Sequence, residues 1–324
     1  MKHVKIVATI GPQTCSVPSV NSLVDAGMSV ARLNGSHANL DWHAAAIELV
    51  RTEAPQIPIL LDIPGRKVRT LQLEHEPTFA AGDSVILTTS REHSGREKVP
   101  VSYAHLHHYV RVGDTVLADD GTLWFTVTGI EGPDICCRAE TAGTLKSRKG
   151  INVPSADFPV EPLTERDQEM LEFAKQQGVD FVGISFVDEA ARVEEVRVRL
   201  GAGGPQVLSK VENMGAMNNL DEVIQASDAI MIDRGDLSVE TNLETLALSQ
   251  KRIIDSARRN GKPVIVATEM LHSMIANPFP TKAEICDISN AVLDGASALM
   301  LSGETAIGRF PAEAVSLMCR VVEA

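Results

Sequence analysis

Eight short apolar runs, each ending in or followed by polar residues, constrain this chain more than any other feature. They are Lys5–Ile10, Ser29–Asn34, Pro58–Asp62, Phe181–Ser185, Gln206–Lys210, Ala229–Asp233, Pro263–Ala267 and Ala298–Leu301. Near-continuous apolar strands suit a parallel sheet that is covered on both faces. Their alternation with helical stretches indicates βαβ units. Eight such units close into an α/β fold, the (β/α)8 or TIM barrel, whose active site lies at the carboxyl ends of the strands. At those ends stand Arg32 and Asn34, Asp62, Ser185, Lys210 and Glu212, Arg234 and Asp236, Thr268, and Ser302 with Glu304.

The intervening helices carry their own punctuation. Val17–Ala26 follows Ser16 as a cap and precedes Gly27; Trp42–Glu53 follows Asp41 as its candidate N-cap. Glu165–Gln177 begins after Thr164 and stops at Gly178, and Glu189–Leu200 stops at Gly201. Leu243–Asn260, Thr281–Asp294 and Pro311–Ala324 complete the set.

The third unit is interrupted. After Asp62 no helix returns directly; instead come the alternating runs Ser84–Thr88, Thr115–Leu117, Trp124–Ile130 and Ile135–Ala139. Gly82-Asp83, Asp120-Gly121 and Gly132-Pro133 are turn signals between them. We read a small all-β domain, residues 71–149, inserted after the third strand of a discontinuous barrel domain, residues 1–70 and 150–324. Because it leaves the active-site end of the barrel, a lid is the expected role.

With 324 residues, 44% of them hydrophobic, the chain can bury a large core. A formal charge of −13 argues against a nucleic-acid or anionic-membrane surface. The five cysteines, Cys15, Cys136, Cys137, Cys286 and Cys319, have no metal spacing and read as reduced cytoplasmic thiols, with the Cys136–Cys137 pair structural. The start of the chain is too short and charged for a signal peptide, and no apolar run approaches the roughly 20 residues that span a bilayer. Neither a Walker A pattern nor GxGxxG occurs, and His37 and His43 are badly spaced for two ligands on one helix face.

In Ser209-Lys210-Val211-Glu212, alternation along an extended segment points Lys210 and Glu212 to one side. Alone, that is as well explained by a structural ion pair. Asp236, at the end of the next strand, adds a second carboxylate. Two converging carboxylates can hold Mg²⁺ or Mn²⁺ and leave positions open for substrate oxygens. Arg32, Lys67, Arg69 and Lys210 all fall near strand ends in an acidic chain. Clustered cations beside a metal are what phosphoryl transfer requires.

Several segments in order, KIVATIGPQTCS, SVARLNGSHAN, LDIPGRKVRT, KGINVPSADF, SKVEN, MIDRGDLSVE, GKPVIVATEMLHSMI, PFPTKAEICDISNAVLDGASALMLSGETA and RFPAEAV, resemble the pyruvate kinase family. The resemblance is specific over the barrel and weaker in the inserted domain. It implies phosphoryl transfer from phosphoenolpyruvate to ADP, giving pyruvate and ATP. By resemblance, Lys210 stabilises the transferring group, Glu212 and Asp236 hold the metal, and Arg32 contacts phosphate. Thr268 stands near the carbon protonated after transfer and acts through a water chain. The backbone at Gly235 and Asp236 receives the substrate carboxylate. Pro12, Arg32, His37, Trp42, Arg69 and Lys149 match nucleotide-side positions, Trp42 standing where the family usually has a tyrosine.

The departures carry information. Where the family reads Asp-Thr-Lys-Gly-Pro-Glu, this chain has Asp62-Ile63-Pro64-Gly65-Arg66-Lys67. The monovalent-cation positions Asn34, Ser36 and Asp62 are kept, Ile63 lacks the hydroxyl, and Lys67 replaces a glutamate. An ammonium there can take the electrostatic role of potassium, so activity without added potassium is expected. Gly35 replaces an aromatic residue, Glu269 a glutamine and Asp233 a small apolar residue. Asp233 should weaken anion binding unless Arg234 or Arg66 pairs with it. These changes keep two other readings open: enolate chemistry with another acceptor or as 2-oxo acid decarboxylation, and a catalytically silent binding protein. The family's C-terminal regulatory domain has no counterpart here, which fits a piece of a longer chain and a short relative equally. A homodimer through the barrel is compatible with the resemblance.

Overall fold

A computed structural model describes residues 4–65, 67–119, 121–156, 163–241 and 243–324. Arg66 and the Asp120 of one expected turn lie outside them. The chain divides into two units, Met1–Gly65 with Leu163–Leu237 and Glu244–Ala324, and Arg66–Pro162 with Ser238–Leu243.

The first unit is a closed barrel of eight parallel strands, as the apolar runs imply. The strands are Lys5–Thr9, Val30–Asn34, Ile59–Ile63, Phe181–Ile184, Gln206–Val211, Ala229–Asp233, Val264–Ala267 and Ala298–Leu301. Their side chains alternate between lumen and helices with period two. Val7, Leu60, Leu208, Ala229, Met231, Ile265, Ala298 and Met300 form an apolar cluster separate from the residues under the helices. Two residues further along the same faces come Thr9, Asp62, Lys210 and Asp233. The polar site is thus the upper layer of a lumen whose lower layer is apolar. The opposite faces, among them Ile6, Ala8, Leu33, Leu61, Val207 and Ile232, are buried with helix residues in the main core, where each large side chain contributes about 1.5–3 kcal/mol.

Helix ends follow their residues. Thr164 with Asp167, and Thr281 with Glu284, form capping boxes, and those helices stop at left-handed Gly178 and Gly295. The second helix is Leu40–Glu53, capped by Asn39, whose side chain accepts the Trp42 N–H at 2.9 Å. Asp41, expected to be the cap, instead lies in the first turn, where its charge favours the helix dipole. The stretch read as one helix from Leu243 splits into a 3₁₀ turn, Leu243–Thr245, and an α-helix, Leu246–Arg259. The short helices Met214–Asn218, Leu220–Ala226 and Arg234–Glu240 span too few turns to show a period in sequence.

The second unit is built on a six-stranded sheet. Its order is Ile151–Asn152, Thr115–Ala118, Leu123–Glu131, Asp134–Ala139, Ser84–Thr88 and Val99–Pro100. Thr78–Phe79 pairs separately with Gly143–Thr144, and one helical turn covers Leu106–Tyr109. Gly132, at φ 58°, turns the central hairpin, and the ladder shifts register between Val127 and Gly129. Its own core includes Leu87, Leu106, Val116, Phe125 and Ile135. Cys137 lies in that core, and burial pushes its thiol up to about 12. Among the described residues no helix is long and apolar enough to cross a membrane.

Candidate active site

Lys210 occupies the lumen face of the fifth strand and is buried. Its Nζ lies 2.9 Å from Glu212 Oε2 and 3.0 Å from Asp233 Oδ2, and donates to Ser185 Oγ at 3.1 Å. Ser185 in turn donates to the Ile63 carbonyl. Three neighbouring strands and the end of a fourth therefore hold one ammonium. Burial alone would disfavour that charge, but Asp233 and Glu212, with Asp62 and Asp236, outweigh it and raise Lys210 above the ordinary lysine value.

Glu212 is fully buried, and its Oε1 accepts the Phe186 N–H at 2.7 Å. Oε2, although close to Lys210, accepts no hydrogen bond. Burial pushes this carboxyl above the usual range, Lys210 opposing the shift and Asp233 and Asp236 adding to it. Ligand oxygens of Glu212, Asp233 and Asp236 all lie within 4.8 Å of one another. Hard oxygen donors, one of them buried without a hydrogen bond, suit Mg²⁺ or Mn²⁺. The residues expected to hold a divalent cation therefore fit one, with Asp233 beside them.

The sixth and seventh strands are locked together at their ends. Arg234 Nη2 donates to the Thr268 carbonyl at 2.6 Å, Nη1 to Asp287 Oδ2 at 2.6 Å, and Nε faces the Ala267 and Thr268 carbonyls. Arg234 is thus spent on structure and does not pair with Asp233; Lys210 does. Thr268 and Glu269 follow with φ of 69° and 54°, in the left-handed region. A β-branched residue there is strained by about 1–3 kcal/mol and persists only where its surroundings over-determine it. The Thr268 hydroxyl accepts the Gly235 N–H at 2.8 Å and donates to the Ala267 carbonyl at 2.6 Å. The Gly235 N–H, expected to receive a substrate carboxylate, is thereby engaged.

A second buried cation stands on the second strand. Arg32 Nε donates to Asp62 Oδ2 at 2.6 Å, and Nη1 to Thr9 Oγ1 at 3.0 Å. A Cβ on Gly183 would collide with Asp62 Oδ1, a buried oxygen without a hydrogen-bond partner. Asn34 Oδ1 accepts the Ser36 N–H, and Ser36 itself is exposed. Thr9, the anchor of Arg32, was not singled out in sequence; its position at the end of the first strand was the available signal.

Pro12 and His37 are exposed loop residues of the first unit, and Trp42 is half-buried against His43, ring centroids 5.2 Å apart. His43 Nε2 hydrogen-bonds the His37 carbonyl at 2.9 Å, a backbone contact and not a shared ligand. Lys67, Arg69 and Lys149 belong to the second unit. There Lys149 pairs with Asp119 at 2.6 Å, Arg69 reaches the Arg148 carbonyl, and Lys67 lies beside Gly150. Glu304 accepts the N–H groups of Leu271 and Ser302, a structural role.

Residues 1–315 match the family described as pyruvate kinase, barrel domain. The chain belongs to the pyruvate kinase family. It is 45% identical to pyruvate kinase of Mycobacterium intracellulare over 326 aligned residues, covering 98% of this chain and 69% of that protein. Pyruvate kinase of Thermococcus litoralis is 41% identical with the same coverages. That of Bacillus licheniformis is 42% identical, covering 98% of this chain and 56% of that protein. The (β/α)8 barrel with an inserted β unit is the architecture expected from the resemblance.

Proposed function

We infer that this chain transfers the phosphoryl group of phosphoenolpyruvate to ADP, yielding pyruvate and ATP. The observation that carries this reading, beside membership of the family, is the Lys210–Glu212–Asp236 constellation at the carboxyl ends of adjacent strands. Lys210 neutralises charge on the group in flight, in a buried setting where that interaction is strong. Glu212 and Asp236 would hold a divalent cation, which would supply further positive charge to the same group. Thr268, fixed between Gly235 N–H and the Ala267 carbonyl, orients the water that protonates the enolate carbon.

The finer assignments are part of the same proposal. Pro12, Arg32, His37, Trp42, Arg69 and Lys149 form the nucleotide side; Asp62 holds Arg32 in place. Mg²⁺ and Mn²⁺ both suit the carboxylates. Lys67, with Asn34, Ser36 and Asp62, substitutes for a bound potassium ion. The five unpaired cysteines and the ADP requirement favour a cytoplasmic location, and the resemblance to the family is compatible with a homodimer through the barrel.

The test is pyruvate formation from phosphoenolpyruvate and ADP with Mg²⁺ or Mn²⁺. Turnover that Lys210→Met lowers by at least about a hundredfold is the expected result. No turnover, with metal-dependent phosphoenolpyruvate binding intact, overturns ADP as the acceptor.

A further inference from the structure

We propose that Gly150 is a positioning residue for the Lys67 ammonium, and through it decides whether turnover needs a monovalent cation; the proposal rests on the reading of Lys67 as a substitute for potassium. All the residues involved belong to the second unit. Gly150 is buried and Lys67 half-buried. A Cβ on Gly150 would stand 2.6 Å from Lys67 Cε and 3.2 Å from its Nζ. Carbon atoms in ordinary contact are about 3.5–4.0 Å apart. The end of the lysine therefore lies across a place that only a glycine leaves open.

The backbone at that place is held on both sides. Gly150 faces Arg69 across an antiparallel bridge. The Thr70 N–H donates to the Lys149 carbonyl at 2.8 Å, and the Ile151 N–H to the Val68 carbonyl at 2.8 Å. The Gly150 carbonyl itself accepts the Asp119 N–H at 3.2 Å. Gly150 is not among the residues of positive φ, so its backbone does not demand a glycine; the missing side chain is what the lysine uses. A second observation draws the ammonium to the same spot. Asn152 is 3% exposed, and its Nδ2 donates to Glu240 Oε1. A carboxylate accepts, so the amide is oriented with Oδ1 turned away from Glu240. That oxygen is buried, accepts no hydrogen bond among the described residues, and lies 3.7 Å from the same Cβ position. A buried acceptor without a donor is costly, which favours a cation beside it.

The consequence is selective. In Gly150→Ala the new methyl meets Lys67 Cε, the far end of a flexible stem. The stem turns more readily than the paired backbone separates, so the fold survives and the ammonium moves. The chain then loses its built-in cation while keeping Lys67.

The decisive measurement is pyruvate formation from phosphoenolpyruvate and ADP in tetramethylammonium salt, with and without potassium at matched ionic strength. The unmodified protein should be indifferent to potassium. Gly150→Ala should melt close to the unmodified protein, lose at least about tenfold in rate without potassium, and regain most of it when potassium is added. Lys67→Met should behave likewise. The two changes together should lose no more than Lys67→Met alone, because both act through one ammonium. A general loosening of the second unit would instead give additive losses that potassium does not repair, and would overturn the proposal. Gly150→Ala indifferent to potassium, beside a potassium-dependent Lys67→Met, would overturn the role of Gly150 alone. Potassium stimulation of the unmodified protein, or indifference of Lys67→Met, would overturn the reading of Lys67 on which the proposal rests. Should Gly150→Ala fail to fold, nuclear Overhauser spectroscopy on the unmodified protein decides: a contact between Gly150 Hα and Lys67 Hε supports the placement, and its absence ends the proposal.

Discussion

Arg234 donates from Nη2 to the backbone carbonyl of Thr268 at 2.6 Å, so the residue after the sixth strand fixes the one after the seventh. The bond secures a threonine at φ 69°, a conformation its own chemistry disfavours.

Arg234→Ala should therefore act on both stability and turnover. It leaves the Asp287 carboxylate and two backbone carbonyls without their donor. Removing one partner of such a pair costs about 3–5 kcal/mol when both are fully buried, and less here because Asp287 is partly exposed. With Thr268 released, kcat should fall by about a hundredfold with a smaller change in KM. Urea unfolding and steady-state kinetics check the two parts, and an unchanged kcat would sever Thr268 from the reaction.

Lys210→Met should lower kcat by between about a hundredfold and a thousandfold, because it removes the ammonium that the buried carboxylates hold in place. The same variant should bind Mn²⁺ more tightly, since the metal loses its competing cation. Tighter metal with lost turnover separates a catalytic lysine from a purely structural one.

The Arg32–Asp62 pair is buried on both sides, with side-chain exposures of 6% and 3%. Arg32→Ala should cost about 3–5 kcal/mol by leaving Asp62 uncompensated. Arg32→Met with Asp62→Leu should recover most of that stability while leaving the enzyme inactive. Denaturation midpoints of single and double variants give the comparison.

Glu284 gives acid sensitivity a defined source. Burial alone would raise its pKa, but hydrogen bonds from Ser273 and Thr281 outweigh it and hold the carboxyl below its ordinary value. The folded state thus favours the charged form. Its contribution is fully present above the unfolded glutamate value, about 4.3, and is lost as pH falls through the lower folded value. Glu284→Gln should cost about 1 kcal/mol near neutrality and less at acid pH. Melting curves of both proteins between pH 7 and about 3 should converge as the pH falls; a constant gap would rule out the linkage.

Turnover should proceed in buffer free of potassium, because Lys67 replaces a glutamate and Ile63 lacks the hydroxyl of the usual cation site. The assay is the rate with and without added potassium at matched ionic strength. A many-fold stimulation would refute the substitution.

The strand ends from Arg32 to Thr268 were legible in the sequence because a barrel strand announces itself twice, by an apolar run and by the residue that stops it. Period-two alternation also puts Lys210 and Glu212 on one side of their extended segment. The short helices after the fifth and sixth strands were not legible, since five to seven residues hold too little periodicity. Asn39 superseded Asp41 as a cap because its extended backbone, not its residue type alone, aims the side chain at the Trp42 N–H.

The barrel, the inserted β segment and the polar residues at the strand ends are readable from the order of residues alone. These depend on local pattern and on family membership carried through the whole chain. The pairing of the charges is not readable in this way. Asp233 reads in sequence as a burden for Arg234 or Arg66 to relieve; Arg66 lies outside the described residues, Arg234 turns to Asp287 and Thr268, and Lys210 pairs with Asp233. The physical reason is that ion pairing depends on distances between side chains from different strands. Strand pairing and barrel closure set those distances, and neither is written in the spacing of residues along one strand.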